Sequence, residues 1–144
     1  MKFTARLALL CAGALLQAPA FAEPAKPAVW ECTIERKIES GKTTMYDAKM
    51  RADRSLRFTF VADTAGNRGC LLDAAKKDDC AEMFTGAAET GGMLRLDVMD
   101  EHNVLDLVNI FPSSGRFMRI HGDTQWMGKP GDCVPAKNHN VTLP

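Results

Sequence analysis

Short segments in which apolar and polar residues alternate recur along most of this chain. In residues 30–38 most even positions are apolar, whereas the odd positions hold Glu31, Thr33, Glu35 and Lys37. The same rhythm returns in residues 43–50, 56–60, 94–98 and 116–121. Because successive side chains of a strand point to opposite faces, this period of two predicts strands with one buried and one solvated face.

Turn-forming residues separate these segments. The clearest turn signal is Pro112-Ser113-Ser114-Gly115, because proline presets one turn dihedral and glycine readily adopts a positive φ. Roughly six or seven short strands at about ten-residue spacing predict a mainly β fold, a small antiparallel β-barrel or sandwich. Residues 70–84 depart from the rhythm, and we expect one short helix or a covered loop there.

The first 22 residues have the anatomy of a secretory signal peptide. Lys2 and Arg6 precede an apolar run over residues 7–16, and Ala20-Phe21-Ala22 places small residues at both specificity positions of a signal-peptidase site. The apolar run is about half as long as a membrane-spanning helix. We therefore expect cleavage before Glu23 and a bacterial protein of the periplasm or the medium, without stable membrane insertion.

The remaining chain has the size of one domain. We expect a flexible arm over residues 23–28, a single β domain over residues 29–134 and a C-terminal tail over residues 135–144. Without the signal peptide, 16 basic and 18 acidic residues give a net charge of −2. A nearly neutral chain without a basic run lacks the electrostatic footprint of a nucleic-acid-binding protein.

Four cysteines lie outside the signal peptide: Cys32, Cys70, Cys80 and Cys133. An even number in a small exported domain predicts two disulfides, for which three connectivities are possible. Closeness in sequence favours Cys70–Cys80 as a local clip, and the bridge Cys32–Cys133 would then join the two ends of the fold. Zinc sites use closely spaced cysteine or histidine pairs, and the sequence has none.

Candidate catalytic residues are few. Ser113, Ser114, His121 and Asp123 are close in sequence, but the serines lie in a turn and the chain lacks the Gly-x-Ser-x-Gly pattern of a nucleophile elbow. The acidic residues between positions 97 and 106 have no accompanying base on a predicted rigid face. We therefore expect a protein that is not an enzyme and that binds no cofactor.

Two methionines each precede a histidine by three residues. These pairs are Met99 with His102 and Met118 with His121. Thioether and imidazole groups are ligands of copper, but positions three apart on a strand point to opposite faces. These four residues are the candidates for a metal site, and we expect none.

The segment from residue 113 to residue 129 is the candidate partner-binding surface. It combines a hairpin turn, a return strand and a glycine-rich loop, and it contains tryptophan and arginine, which are over-represented at binding hot spots. The candidate contact residues are Ser113, Ser114, Gly115, Arg116, Trp126 and Lys129.

Part of this segment resembles a known signature. Ser114-Gly115-Arg116-Phe117, followed by Trp126 and Lys129, is loosely similar to the Ser-Gly-x-Arg/Lys-Tyr turn, Trp and Lys-Gly pair of the periplasmic inhibitors of c-type lysozyme. Those inhibitors are small exported antiparallel β-barrels. Here the aromatic residue arrives one position early, it is Phe117 instead of tyrosine, and Pro130 follows the lysine. These departures leave the family open.

We expect an exported, non-catalytic envelope protein that binds or inhibits another macromolecule. The most specific form of this hypothesis is an inhibitor of a cell-wall hydrolase, and a related form is an immunity protein against a periplasmic toxin. The alternative is a periplasmic carrier of a small ligand or of copper. An eight-stranded barrel can hold one small ligand in its interior, and the methionine–histidine pairs are the candidate copper ligands.

Overall fold

The computed structural model describes residues 26–76, 78–101, 103–137, 139 and 141–144. The expected signal peptide and the first part of the expected arm lie outside these residues. The strands of the described chain are β1 Ala28–Thr33, β2 Arg36–Glu39, β3 Lys42–Met45, β4 Arg57–Asp63, β5 Arg68–Leu72, β6 Cys80–Phe84, β7 Gly86–Thr90, β8 Met93–Met99, β9 Val104–Phe111, β10 Arg116–His121, β11 Thr124–Gly128 and β12 Cys133–Pro135.

Two short 3₁₀ turns, Met50–Ala52 and Arg54–Leu56, connect β3 to β4 in the described chain. The strand expected over residues 43–50 therefore ends early, at Met45. Among the described residues, no helix has the length and apolar character needed to cross a membrane.

The strands form two antiparallel sheets. The five-stranded sheet has the order β12-β1-β4-β5-β6, and the seven-stranded sheet has the order β3-β2-β11-β10-β9-β8-β7. The main hydrophobic core contains residues from both sheets, so the sheets pack face to face. The mainly β prediction is confirmed, and of its two architectures the sandwich is the one that forms.

Alternation explains which residues fill the core. On β8, Leu94 and Leu96 are buried, whereas Arg95 and Asp97 lie on the other face, where Arg95 Nε is 2.7 Å from Asp97 Oδ2. The largest fully buried side chains at the centre are Phe60, Phe84, Leu96, Val108 and Ile110. The period of two in the sequence therefore corresponds to one face in the core and one outside.

Both predicted disulfides form. Cys32 and Cys133 are opposite each other in neighbouring strands β1 and β12, and they are 101 residues apart in sequence. Cys70 and Cys80 join β5 to β6 across the loop of residues 73–79. The bridge Cys32–Cys133 therefore joins the first and last strands of the described chain, and the bridge Cys70–Cys80 cross-links the neighbouring strands β5 and β6.

The outer face of the five-stranded sheet is covered by the end of the chain. Val61, Cys70 and Leu72 form a second buried cluster with Leu143, which is 5% exposed, and Val141 packs against it. The expected C-terminal tail is thus not wholly free, because part of it packs on the sheet.

Side-chain contacts hold this covering segment in place. His139 Nδ1 lies 3.0 Å from Asp78 Oδ1, and its Nε2 lies 3.7 Å from Glu31 Oε1. Arg68 donates from Nη1 to the carbonyl oxygen of Pro144 at 2.6 Å.

Residues 70–84 form strands β5 and β6 with a loop between them, and no helix is described there. Leu71 packs in the main core, whereas its neighbours Cys70 and Leu72 pack in the second cluster beneath the tail. Because both faces of β5 are covered, consecutive apolar residues are all buried. This is why the segment lacks alternation; of the two structures expected there, a loop connects β5 and β6, and the short helix is not found in the described residues.

Candidate functional site

The outward face of the seven-stranded sheet is apolar at its centre. We call this surface the apolar outer face and define it by Ile38, Leu107, Met118, Ile120 and Met127. Ile120 is opposite Leu107 on β9, and Met118 is opposite Met127 on β11, so these side chains lie on adjacent strands. They are only partly buried. An antiparallel sheet with one face in water usually presents polar residues there.

Exposed apolar side chains surround this face. Met45 is 58% exposed, Leu105 is 47% exposed and Phe111 is 37% exposed. Scattered apolar residues are common on protein surfaces, but contiguous apolar patches mark sites of interaction. The strands β2, β11, β10 and β9 therefore concentrate apolar side chains on one face, with Gln125 between Ile38 and Ile120.

A groove of about 480 Å³ lies at one end of this face, beside the hairpin turn that joins β9 to β10. Its principal lining residues are the apolar Phe111, Met118 and Met127 and the cationic Arg36, Arg116 and Lys129. We call it the cationic groove. Arg36 Nη2 donates to the thioether sulfur of Met127 at 2.8 Å. Within the described residues, none of these three cations has a carboxylate partner.

The hairpin turn itself is held against the neighbouring loop. Ser114 and Gly115 both donate their backbone N–H to the carbonyl of Phe111, at 3.1 and 2.8 Å. The carbonyl of Ser114 accepts from Gly131 at 2.9 Å, and that of Gly115 accepts from Cys133 at 2.8 Å. The expected contact residues Ser113 and Ser114 are exposed, but this packing means that the turn is not a free projection.

Gly115 is required by this packing. Its φ is +66°, and a Cβ at this position would lie 2.8 Å from the backbone nitrogen of Gly131. A side chain would therefore be strained by the backbone conformation and would also collide with the loop. Gly115 shapes the turn and is buried, so it offers little contact surface to a partner.

Trp126 does not join the other expected contact residues. It faces the interior, where its ring packs edge-on against Phe58 with centroids 5.7 Å apart. Of the predicted partner-binding residues, the structure therefore brings together Ser114, Arg116 and Lys129 in the cationic groove.

A buried ion-pair network lies between the sheets near Trp126. Arg119 and Asp106 are each 3% exposed. Arg119 Nε lies 3.2 Å from Asp106 Oδ1, and its Nη2 lies 2.5 Å from Asp106 Oδ2. The guanidinium carbon is 5.2 Å from the ring centroid of Phe58 and 5.3 Å from that of Trp126, so cation–π contacts add to the pairing.

Two exposed residues extend this network to the surface. Arg119 also donates to Glu82 on β6, and His121 Nδ1 lies 3.2 Å from Asp106 Oδ2. Ligand atoms of Glu82, Asp106 and His121 lie within 4.8 Å of one another. Because Arg119 already neutralises both carboxylates, a metal ion would have to displace its guanidinium. The arrangement is suited to joining the two sheets.

Of the two methionine–histidine pairs, Met118 and His121 are separated in the structure. Met118 lies on the outer face of β10, whereas the imidazole of His121 lies on the side of Asp106. Met99 is 55% exposed at the end of β8. His102 lies outside the described residues, so the pair of Met99 and His102 stays an untested candidate, and the expectation of no metal site stays a prediction.

The serine–histidine–aspartate arrangement does not form. Ser113 and Ser114 precede β10, whereas His121 ends it, so the length of the strand separates them. Asp123 instead accepts from the hydroxyl of Ser40 at 2.7 Å. This hydrogen bond, with one from Thr124, lowers the pKa of the Asp123 carboxyl below its ordinary value of 3.8.

The sequence analysis did not predict the apolar outer face, and it singled out Met118 only as a candidate metal ligand, although signals for the face exist. Val104 to Phe111 is apolar at almost every position, which is typical of strands covered on both faces. Met118 and Ile120 lie on the face opposite the buried Phe117, so β10 also carries apolar residues on both faces. Comparisons with protein-family models, curated proteins and solved structures find no significant match to this chain.

Proposed function

We propose that this chain is an exported, non-catalytic protein of the bacterial envelope that binds another protein through the apolar outer face. The observation that carries the proposal is the group of partly buried apolar side chains on β2, β11, β10 and β9, among which Gln125 lies between Ile38 and Ile120, with large exposed apolar residues at its edge. The proposed export depends on the signal-like residues 1–22 of the sequence.

The composition of this surface favours a protein partner. Methionine, aromatic residues and arginine are enriched at protein interfaces, and a partner that covers the face would remove its apolar area from water. Phe111, Met118 and Met127 are of these types, and Arg36 and Arg116 lie beside them. Within this class, an inhibitor of a cell-wall hydrolase or an immunity protein is the specific role that we propose.

The alternative, a carrier of a small ligand or of copper, receives less support. A small-ligand carrier depends on a barrel with an open interior, whereas the space between the two sheets is packed by Phe60, Phe84 and Phe117. Of the copper candidates, Met118 and His121 lie on different faces of β10. We therefore keep the protein-binding role as the proposal.

The test uses the disulfide-intact mature protein as bait in envelope extract and, separately, with purified cell-wall hydrolases. The variant Leu107→Glu with Ile120→Glu places two carboxylates on the apolar outer face. Its matched control, Ala81→Glu with Met83→Glu, places two on the exposed part of β6. We expect the first variant to lose a partner that the wild type and the control both retain. Equal capture by all three, or no specific partner for the wild type, would refute the proposal.

A further inference from the structure

The cationic groove has a chemistry that specifies part of the partner. We propose that it receives a carboxylate side chain of the partner protein, flanked by apolar side chains that lie on Phe111, Met118 and Met127. This inference rests on the proposed function and deepens it, because it states what the partner must present at one end of the apolar outer face.

The charges of the groove favour an anion. Arg36, Arg116 and Lys129 line it together with one acidic residue, Glu35, so positive charge is in excess. Other cationic side chains of the same sheet are paired with carboxylates; for example, Arg95 Nε lies 2.7 Å from Asp97 Oδ2. Within the described residues, the three groove cations lack such partners, and a ligand carboxylate could accept charge-assisted hydrogen bonds from them.

A second cavity provides a contrast. The depression on the five-stranded sheet contains Arg54 and Arg57, but it is also lined by Glu31, Asp73 and Asp78. Its own carboxylates outnumber its two arginines. The excess of positive charge is therefore a property of the cationic groove and not of every depression that contains arginine.

The apolar lining favours an amphipathic anion over a free inorganic ion. Met118 and Met127 belong both to the groove and to the apolar outer face, so the two surfaces are continuous. A partner segment can therefore place a carboxylate between the cations while its apolar neighbours remain on the methionines. Methionine suits this role because its flexible thioether adapts to different shapes.

The same face is less suited to a lipid surface. Asn109 lies opposite Met118, and Asp97 lies opposite Leu107, so polar and acidic groups adjoin the apolar residues. Asp97 is paired with Arg95, and a partner protein can hydrogen-bond both this ion pair and Asn109, whereas acyl chains would remove them from water without offering hydrogen bonds. This favours a protein as the source of the carboxylate.

The test uses methionine methyl NMR, because the groove contains its own reporters. Met118 and Met127 line the groove, whereas Met50 and Met83 lie elsewhere on the exposed surface. The probes are the peptides N-acetyl-Leu-Glu-Leu-amide and N-acetyl-Leu-Gln-Leu-amide. We expect the Glu peptide to shift the two groove methyls at a dissociation constant about tenfold lower than that of the Gln peptide, since a hydrogen bond to a charged group is worth about this factor.

A charge-matched pair of variants isolates the groove. Arg116→Gln with Lys129→Gln should abolish the preference for the Glu peptide. Arg54→Gln with Arg57→Gln removes the same charge from the opposite sheet and should leave the preference unchanged. Equal binding of the two peptides, or equal effects of the two double variants, would overturn the inference.

Two further outcomes separate this inference from the proposed function. If substitutions on the apolar outer face abolish capture of the partner but neutralising the groove does not, the carboxylate inference fails and the proposed function stands. If phosphatidylglycerol vesicles bind in a way that needs Arg116 and Lys129 while the Glu peptide has no advantage, the groove recognises a lipid surface and the inference also fails.

Discussion

Replacing Asp106 by alanine should strongly destabilise this protein, because it leaves a buried charge without its counter-ion. The substitution leaves Arg119 buried without the carboxylate that accepts two of its hydrogen bonds, at 3.2 and 2.5 Å. The remaining neighbours of the guanidinium are Glu82 and the rings of Phe58 and Trp126. These contacts reduce the loss but do not replace a buried counter-ion.

The size of the effect follows from burial. Because Arg119 and Asp106 are each 3% exposed, water cannot readily solvate the cation that is left behind. Breaking a buried pair in this way costs about 3–5 kcal/mol. Glu82 and the rings remain, so we expect about 3 kcal/mol, which corresponds to a fall of about 12 °C in Tm for a domain of this size.

Urea unfolding with both disulfides intact provides the measurement, with tryptophan fluorescence as the signal because Trp126 contacts the guanidinium. The slope of free energy against urea concentration should stay unchanged, so that the midpoint reports stability. Glu82→Ala is the first control. The Glu82 side chain is 44% exposed, and its pairing with Arg119 should contribute at most about 1 kcal/mol.

A second control distinguishes an orphaned charge from lost packing. Asp106→Leu combined with Arg119→Met removes both charges, and such replacements of a buried pair are often neutral or stabilising. The double variant should therefore be more stable than Asp106→Ala alone. A loss below about 1 kcal/mol for Asp106→Ala, or a double variant as unstable as the single one, would refute this reasoning.

Three further perturbations test other parts of the fold. In urea unfolding, Gly115→Ala should lower the free energy of unfolding by about 2 kcal/mol and Gly91→Ala by about 1 kcal/mol. Both glycines have positive φ, but of the two only Gly115 lies where a Cβ would meet neighbouring atoms. Equal losses for the two variants would contradict the close approach at Gly115. Removing the bridge Cys32–Cys133 should cost about 4.7 kcal/mol and removing Cys70–Cys80 about 2.7 kcal/mol, because the closed loops differ in length; the reverse order in thermal unfolding would contradict this. The ionised Asp123 carboxyl, with its lowered pKa, stabilises the fold above pH 3.8, and this contribution is lost as pH falls through the lowered pKa. Asp123→Asn should therefore lose less stability than the wild type during acid titration, and identical pH profiles would count against it.

The sequence allowed much of the framework to be predicted, because the relevant signals are local. Alternation over residues 94–98 depends on one strand only, and Leu94 and Leu96 are indeed buried. The disulfide pairing followed from four cysteines whose spacing left one natural connectivity, and both bridges form. Neither inference required knowledge of which strands are neighbours.

The surface and the buried network could not be predicted in the same way, because they depend on register between strands. Asp106 interrupts an apolar run, and Arg119 has the same strand parity as the buried Phe117, so each residue is conspicuous alone. Their pairing requires that β9 lie beside β10 in the observed register and that β6 approach from the other sheet. The separation of residues in the sequence does not reveal that β6 lies close to β10.

The same dependence on register explains why the residues predicted to bind a partner do not all lie together. The segment of residues 113–129 contains Arg116, Trp126 and Lys129, and nearness in sequence suggested one surface. In the sheet, Trp126 lies beside the buried Arg119, whereas Arg116 and Lys129 lie together at the cationic groove with Arg36 from β2. Because successive residues of a strand point to opposite faces, residues that are adjacent in sequence do not share a surface. A binding surface on this sheet must therefore combine residues from neighbouring strands. In the proposed surface, the residues that would contact a partner therefore come from different strands, and Arg36, the most distant of them in sequence, lines the same groove as Arg116 and Lys129.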